Sequence, residues 1–414
     1  MKILQSKKIF LTILVFSLLF NFLPLSAESN FKPPVLNATN LIFNGRVNAI
    51  AIDEKTGIVY LGGEFTKVGD IERNGLAAIG TDGTLQSWNP NVGGINIITT
   101  EDGEASGSSI YTLAVKGSTI YVGGFFNTIG GEIRNNLAAI GTDGAILDWN
   151  PNANYNVNSL VIKGSTIYVG GAFNSIGGKE RFGLAAISTD DSLQNWNPGV
   201  SGEVHALAIK GSTIYTGGSF YLIGGKERYN LGAIRTNGTV LNWNPKVRHV
   251  EYDVDEDYFS YYDGSIVKAL AIKGSTIYVG GKFHKIGETE RKNLAAIGID
   301  GTLLDWNPKV EYADSRVDDS IVNALAIKGS TIYAGGSFTS IGGKERYDLG
   351  AIRANGVLHN WFPVFSGFHV NTVVVKGSTV YIGGYFNAIS KESGSTNFEP
   401  RSNFASFSIP KDSK

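Results

Sequence analysis

The sequence predicts an all-β chain of repeated four-stranded units, and three observations carry that prediction. A Gly-Gly pair ending an "IYVGG"-like string recurs seven times, opening at Gly62, Gly123, Gly170, Gly217, Gly280, Gly335 and Gly383. Six tryptophans (Trp88, Trp149, Trp196, Trp243, Trp306 and Trp361) each lie 26 positions after the first Gly of a pair. Beyond residue 27 no stretch sustains helical periodicity. Short strands in units of roughly 45 residues, repeated seven times, predict a seven-bladed β-propeller with four antiparallel strands per blade.

Residues 1–27 come first. Lys7 and Lys8 precede an apolar run over 9–25, and Leu25-Ser26-Ala27 offers a small-residue exit. That order reads as a secretory signal peptide. An uncleaved anchor is the alternative, since the run approaches the ~17 residues of a minimal span. Asn21 and Pro24 interrupt it, which favours cleavage. Residues 28–38 then form a lead-in, 39–409 the propeller and 410–414 a tail. Export implies a periplasmic, cell-surface or secreted protein.

The third repeat illustrates one unit. Residues 157–162 form a strand, and Lys163-Gly164-Ser165 turns into a second strand over 166–173. A polar loop, "NSIGGKERFG", leads to 184–188, and Asp190-Asp191 turns into 193–196. Most other repeats place Asp-Gly or Asn-Gly at that last turn, residues that tolerate positive φ. The seventh repeat ends after its third strand. Thr39-Asn40-Leu41-Ile42-Phe43-Asn44 parallels Thr302-Leu303-Leu304-Asp305-Trp306-Asn307, so the N-terminus is expected to supply the missing fourth strand. Such a clasp closes the last blade and removes an exposed sheet edge.

The string "VNALAIKGSTIYAGGSFTSIGGKERYDLGAI" with its later Trp-Asn-Pro resembles the exported bacterial propeller repeats of the delta-60 type, also described as DUF5122-like. The resemblance covers residues 39–409. It implies fold and export, and it brings no established activity or catalytic motif.

Composition excludes some functions. With 42% apolar and 18% charged residues the chain can fill a core, and with no cysteine it holds neither a disulfide nor a cysteine-linked lipid. Loss of residues 1–27 removes three lysines and takes the net charge from −1 to −4, a balance unsuited to nucleic acid. No H-E-x-x-H, G-x-S-x-G or phosphate-binding glycine loop occurs.

The recurring Gly-Gly, Phe and Trp-Asn-Pro positions read as packing, because a catalytic residue is needed once and not seven times. The Lys179-Glu180-Arg181, Lys226-Glu227-Arg228 and Lys344-Glu345-Arg346 triplets are expected to form surface ion pairs. Sites are sought where the repeat breaks. Three long joints follow Trp88, Trp243 and Trp306, and all are acidic. The middle one carries Tyr252, Tyr258, Tyr261 and Tyr262, and the last carries Asp314 and Asp318. Aromatic faces beside carboxylates suit a protein or glycan partner. Asp253-x-Asp255-x-Asp257 could hold calcium, yet Tyr258 and Gly264 stand where a calcium loop wants glycine and glutamate. No other cofactor is indicated. A ring of inner-strand positions forms the second candidate: Asn48, Tyr111, Asn158, His205, Lys268, Asn323 and Asn371. Tyr111, His205 and Lys268 are its titratable members, placed at a channel mouth to meet an anionic or hydroxylated small ligand. The leading expectation is therefore an exported, non-enzymatic binding or scaffold module using its long-loop face. The alternative is a carbohydrate-active hydrolase or lyase at the channel mouth.

Overall fold

The computed structural model describes residues 35–37, 41–94, 107–248, 264–312, 319–390 and 397–409, and among them every regular element is a strand. Each repeat folds into an antiparallel sheet of inner, middle and outer strands. The third has Val157–Lys163, Thr166–Gly171 and Leu184–Ser188 in that order. The fourth segment is shorter than the sequence suggests. In the third repeat it attaches through one bridge, Ile187 to Leu193, and then leaves the ladder. Its tryptophan explains why. The indole of Trp196 crosses to the next sheet and donates from Nε1 to the Arg235 carbonyl at 3.0 Å, and Trp149 does the same to Ser188 at 2.9 Å. Each indole also meets a middle-strand tyrosine edge-on, as Trp196 meets Tyr168 at 5.1 Å.

The Gly-Gly pair sets how sheets pack. A Cβ on the first glycine would collide with an inner-strand side chain of the next sheet: Gly170 with Val204 at 2.4 Å and Gly217 with Val267 at 2.3 Å. The last pair meets the first sheet in the same way, Gly383 facing Val47 at 2.6 Å. The phenylalanines that follow (Phe65, Phe126, Phe173, Phe220, Phe283, Phe338 and Phe386) are buried. Phe173 shares its cluster with Tyr121, Leu137 and Trp149 of the preceding repeat, so it fills the space between sheets as expected.

The polar loop contains structure that the sequence reading left out. Residues Ser175–Ile176 and Lys179–Glu180 form a small hairpin, and Ala153, just past Trp149-Asn150-Pro151, bridges to Ile176. Equivalent pairs join Val92–Gly93 to Thr128–Ile129, Val247–Arg248 to Lys285–Ile286, and Val310–Glu311 to Ser340–Ile341. A second tier of short strands thus covers one end of the main sheets.

The triplet arginines hold this tier and are not surface ion-pair partners. Arg181 is 8% exposed; its two Nη atoms donate to the carbonyls of Glu180 (2.8 Å) and Gln194 (3.1 Å). Arg228 and Arg346 repeat this, while the lysine and glutamate of each triplet stay exposed. Only a planar fork spans two carbonyls in fixed directions. Arg181→Lys is therefore expected to cost about 1–3 kcal/mol, seen as a lower urea midpoint; an unchanged midpoint would reject this role.

Ten residues after each of the first six phenylalanines stands a left-handed position: Gly75, Asn136, Gly183, Asn230, Asn293 and Asp348. Asn136 accepts from the Phe126 N–H at 3.1 Å and donates from Nδ2 to the Ala153 carbonyl at 2.8 Å. Asn230, Asn293 and, in the seventh repeat, Asn403 bond likewise. Asp348 accepts from Phe338 at 3.2 Å but has no amide to donate.

The N-terminal segment does pair with the last sheet, in a register different from the expected one. Val35–Leu36 pairs with Phe404–Ser408, and Arg401 donates to the Asn37 carbonyl at 3.3 Å, as its counterparts do to fourth segments. Phe43 bridges to Val68, the position that Val310 occupies in its own repeat, and not that of Trp306. Matching Phe43 to a tryptophan shifted the alignment by four residues; the aromatic character was shared, the place in the sheet was not. Asn37 fastens the strand by bonding Ser406 Oγ at 2.8 Å and accepting from Ser408 Oγ at 2.6 Å.

Candidate functional site

The ring positions have a common backbone origin. In every inner strand the pairing slips by one residue, between Val47 and Ala49, Ile110 and Thr112, Val157 and Ser159, Val204 and Ala206, Val267 and Ala269, Val322 and Ala324, and Val370 and Thr372. The extra residue is in each case the ring residue. A bulge leaves one residue outside the ladder and re-aims its side chain. The second glycine of each pair makes room for it. A Cβ there would lie 2.0 Å from the Glu203 carbonyl oxygen at Gly218, and 1.9 Å from that of Ile266 at Gly281.

The asparagines of the ring tie neighbouring sheets. Asn158 Nδ2 donates to the Val204 carbonyl at 3.0 Å and Asn323 Nδ2 to that of Val370 at 3.2 Å. Asn371 Nδ2 donates to Asn48 Oδ1 at 2.8 Å, joining the last repeat to the first. Tyr111, His205 and Lys268 replace this tie with other chemistry.

His205 and Lys268 come together, and Tyr111 does not join them. Lys268 Nζ and Asn158 Nδ2 both stand 3.4 Å from His205 Nδ1. With Nδ1 accepting, the neutral ring carries its proton on Nε2, which faces Glu203 Oε2 at 3.7 Å. Burial, then the Lys268 charge, holds the imidazole down to about 3, so it is neutral at ordinary pH. Burial also lowers Lys268, and Glu203 works against that shift. Tyr111 lies instead with Ser109 and Glu64, where burial and then the Glu64 charge raise its phenol. Ser109 there donates to Glu64 at 3.2 Å and receives a bond from Asn48 at 3.1 Å. Nearby, Arg46 pairs with Glu64 at 3.7 Å and lies over the Tyr385 ring at 5.0 Å. The partners Glu203, Glu64 and Ser109 were missed in the sequence; the signal was their position, two residues before a ring residue or one after a Gly-Gly pair.

The other sequence candidates (Tyr252, Tyr258, Tyr261, Tyr262, Asp253, Asp255, Asp257, Asp314 and Asp318) lie outside the described residues. The residues that flank the three joints are described. Gly93 and Gly94 precede the first joint, Arg248 the second and Glu311 the third, and all belong to the hairpin tier or adjoin it. That tier begins where the middle strands end at their Gly-Gly pairs, so the joints depart from the end of the sheets that carries the bulges.

No protein-family profile matches the chain, so the delta-60 resemblance stands on its motifs alone. No curated protein matches it either. Among solved structures it is similar to the WD40 β-propeller domain of Doa1, at 11% identity and a TM-score of 0.55, over 92% of this chain and 98% of that one. The chain folds as a β-propeller. It is also similar to the computationally designed Ika8 protein, at 12% identity and a TM-score of 0.48, covering 90% of this chain and all of that one. A third similar structure is the extracellular domain of a one-component system from B. thetaiotaomicron, at 12% identity and a TM-score of 0.49. That match covers 91% of this chain and only 39% of the other. No helix among the described residues is long and apolar enough to cross a membrane.

Proposed function

We propose that the chain is an exported, non-enzymatic binding module: a closed, seven-bladed propeller that recognises a protein or a glycan through the face bearing its long joints. The observation that carries this reading is the common origin of the three joints. The described residues that precede all three acidic joints belong to or adjoin the tier of short strands at the bulged end of the sheets, which supports loops that share one rigid face. On this reading Tyr252, Tyr258, Tyr261 and Tyr262 are the anchors, Asp314 and Asp318 supply charge complementarity, and Asp253, Asp255 and Asp257 are where calcium would act. The partner is an extracellular or envelope protein or glycan.

The test is a binding screen of residues 28–414 against glycan and extracellular-protein arrays, with and without calcium. A variant with residues 249–263 cut to a short joint runs beside it. Binding that is lost on trimming is the expected result. Binding indifferent to the trim, or none at all, would reject loop-face recognition.

A further inference from the structure

Four of the seven bulges place an asparagine, and all four reach the next repeat directly: Asn48 at the Ser109 hydroxyl, Asn158 at the Val204 carbonyl, Asn323 at that of Val370 and Asn371 at Asn48. Two adjacent repeats give up this tie at once, with His205 in one and Lys268 in the next. Nothing in the packing of the sheets asks for a cation there, since asparagine serves the same bulge elsewhere.

The Lys268 ammonium is incompletely matched. Its hydrogen-bond partner is His205 Nδ1 at 3.4 Å, and among the described residues no carboxylate lies within 4.0 Å of Nζ. A partly buried ammonium is best satisfied by an anionic partner, and Lys268 is partly buried. His205 is a neutral acceptor and cannot be that partner. Lys268 therefore keeps donors for an anion that the described protein does not supply. Glu203, beside His205 and 47% exposed, adds a charged acceptor on the solvent side. A carboxylate accepts only, whereas a hydroxyl can also donate to Glu203. A ligand carrying both groups satisfies the cluster, while a bare anion leaves Glu203 repelling it.

We propose that Lys268, His205 and Glu203 form a binding site for a hydroxylated carboxylate, the chemistry shared by a free sugar acid and the uronate end of an acidic glycan. The ligand carboxylate takes the free donors of Lys268, and a ligand hydroxyl donates to Glu203. His205 positions the lysine from behind. The site is built on strands and stands whether or not the long joints bind anything.

Isothermal titration of the mature chain with glucuronate, acetate, glucose and digalacturonate tests it. Glucuronate is expected to bind more tightly than acetate, and glucose not at all. Lys268→Met should weaken glucuronate at least about tenfold, and Glu203→Gln should narrow its advantage over acetate. Lys210→Met, at the opposite end of an inner strand, should leave binding unchanged. At alkaline pH the wild type should take up protons as glucuronate binds, because an anion beside Lys268 raises its proton affinity. Digalacturonate binding tighter than glucuronate points to a glycan end, and equal binding to a free acid. The variant lacking residues 249–263 should bind glucuronate as the wild type does, which separates this site from loop-face recognition. The proposal is overturned if glucuronate does not bind, if glucose binds equally well, or if folded Lys268→Met binds as the wild type does. Should that variant not fold, the His205 ring signals of the wild type decide, and signals unmoved by glucuronate overturn it.

Discussion

Gly218→Ala is expected to cost at least about 3 kcal/mol or to prevent folding. A Cβ at Gly218 would lie 2.0 Å from the Glu203 carbonyl oxygen and 3.0 Å from a Phe220 ring carbon. The first of these is backbone, so no rotamer change relieves the overlap. The strand must move, and with it the bulge that aims His205. Gly211→Asn is the matched control. Gly211 also has a special backbone, at φ 56°, but nothing lies within 4 Å of its Cβ position, and asparagine tolerates that conformation. Its cost should stay within about 1 kcal/mol. Urea unfolding of both variants provides the measurement. Equal, small losses would show that the glycine pair does not hold the bulge.

Asp348→Asn should stabilise the protein at pH 8, by up to about 4 kcal/mol. The side chain occupies a position where asparagine elsewhere donates to a carbonyl of the hairpin tier, and burial pushes its carboxyl up to about 7 from 3.8. The native state keeps this proton over a range where the unfolded chain has released it. Stability from Asp348 is therefore full below pH 4, drains between 4 and 7, and stays lost above 7. His205 and His359 act oppositely. Burial holds them at about 3 and about 4, so the stability they bring is present above pH 6.5 and falls as pH drops toward those values. The wild type should show a blunted pH profile between 4 and 6.5 because these terms offset. The asparagine variant should lose the offset, with stability rising through that range and the largest gain over wild type at pH 8. At pH 3 the two proteins should unfold alike. Equal urea midpoints at pH 8 would show that Asp348 is not carrying a buried proton.

The repeat and its class were legible in the sequence because they depend on side-chain types at fixed spacing. Gly170 admits Val204, Phe173 fills the gap between sheets, and Trp196 bonds the neighbouring sheet. Features set by backbone geometry were not legible. The ring was visible as a column of equivalent residues, but its cause, a bulge beside a glycine that cannot carry a Cβ, leaves no mark in residue type beyond the glycine itself. Arg181 looked like one charge in an exposed triplet. Its burial follows from a hairpin only two residues deep on each arm, too short to show a period. The clasp was foreseen in kind and misplaced by four residues, because Phe43 shares ring character with Trp306 and little else. At the candidate site, His205 and Lys268 stood out as departures from asparagine. That Glu203 faces the same imidazole, while Tyr111 keeps company with Glu64, required the fold.

The clasp at Val35–Leu36 also sets a schedule. Asn37 and its partner Ser406 are 369 positions apart in the chain. At roughly 5–20 residues per second of synthesis, the early strand waits on the order of 20 to 70 seconds for the late one to be made. Through that interval the first-made segment has no sheet to join, and the sheet edge it will cover does not yet exist. Pairing of the early strand thus waits on Phe404–Ser408, and a polypeptide stopped short of Phe404 lacks the strand that Val35–Leu36 joins, however well its earlier repeats have formed.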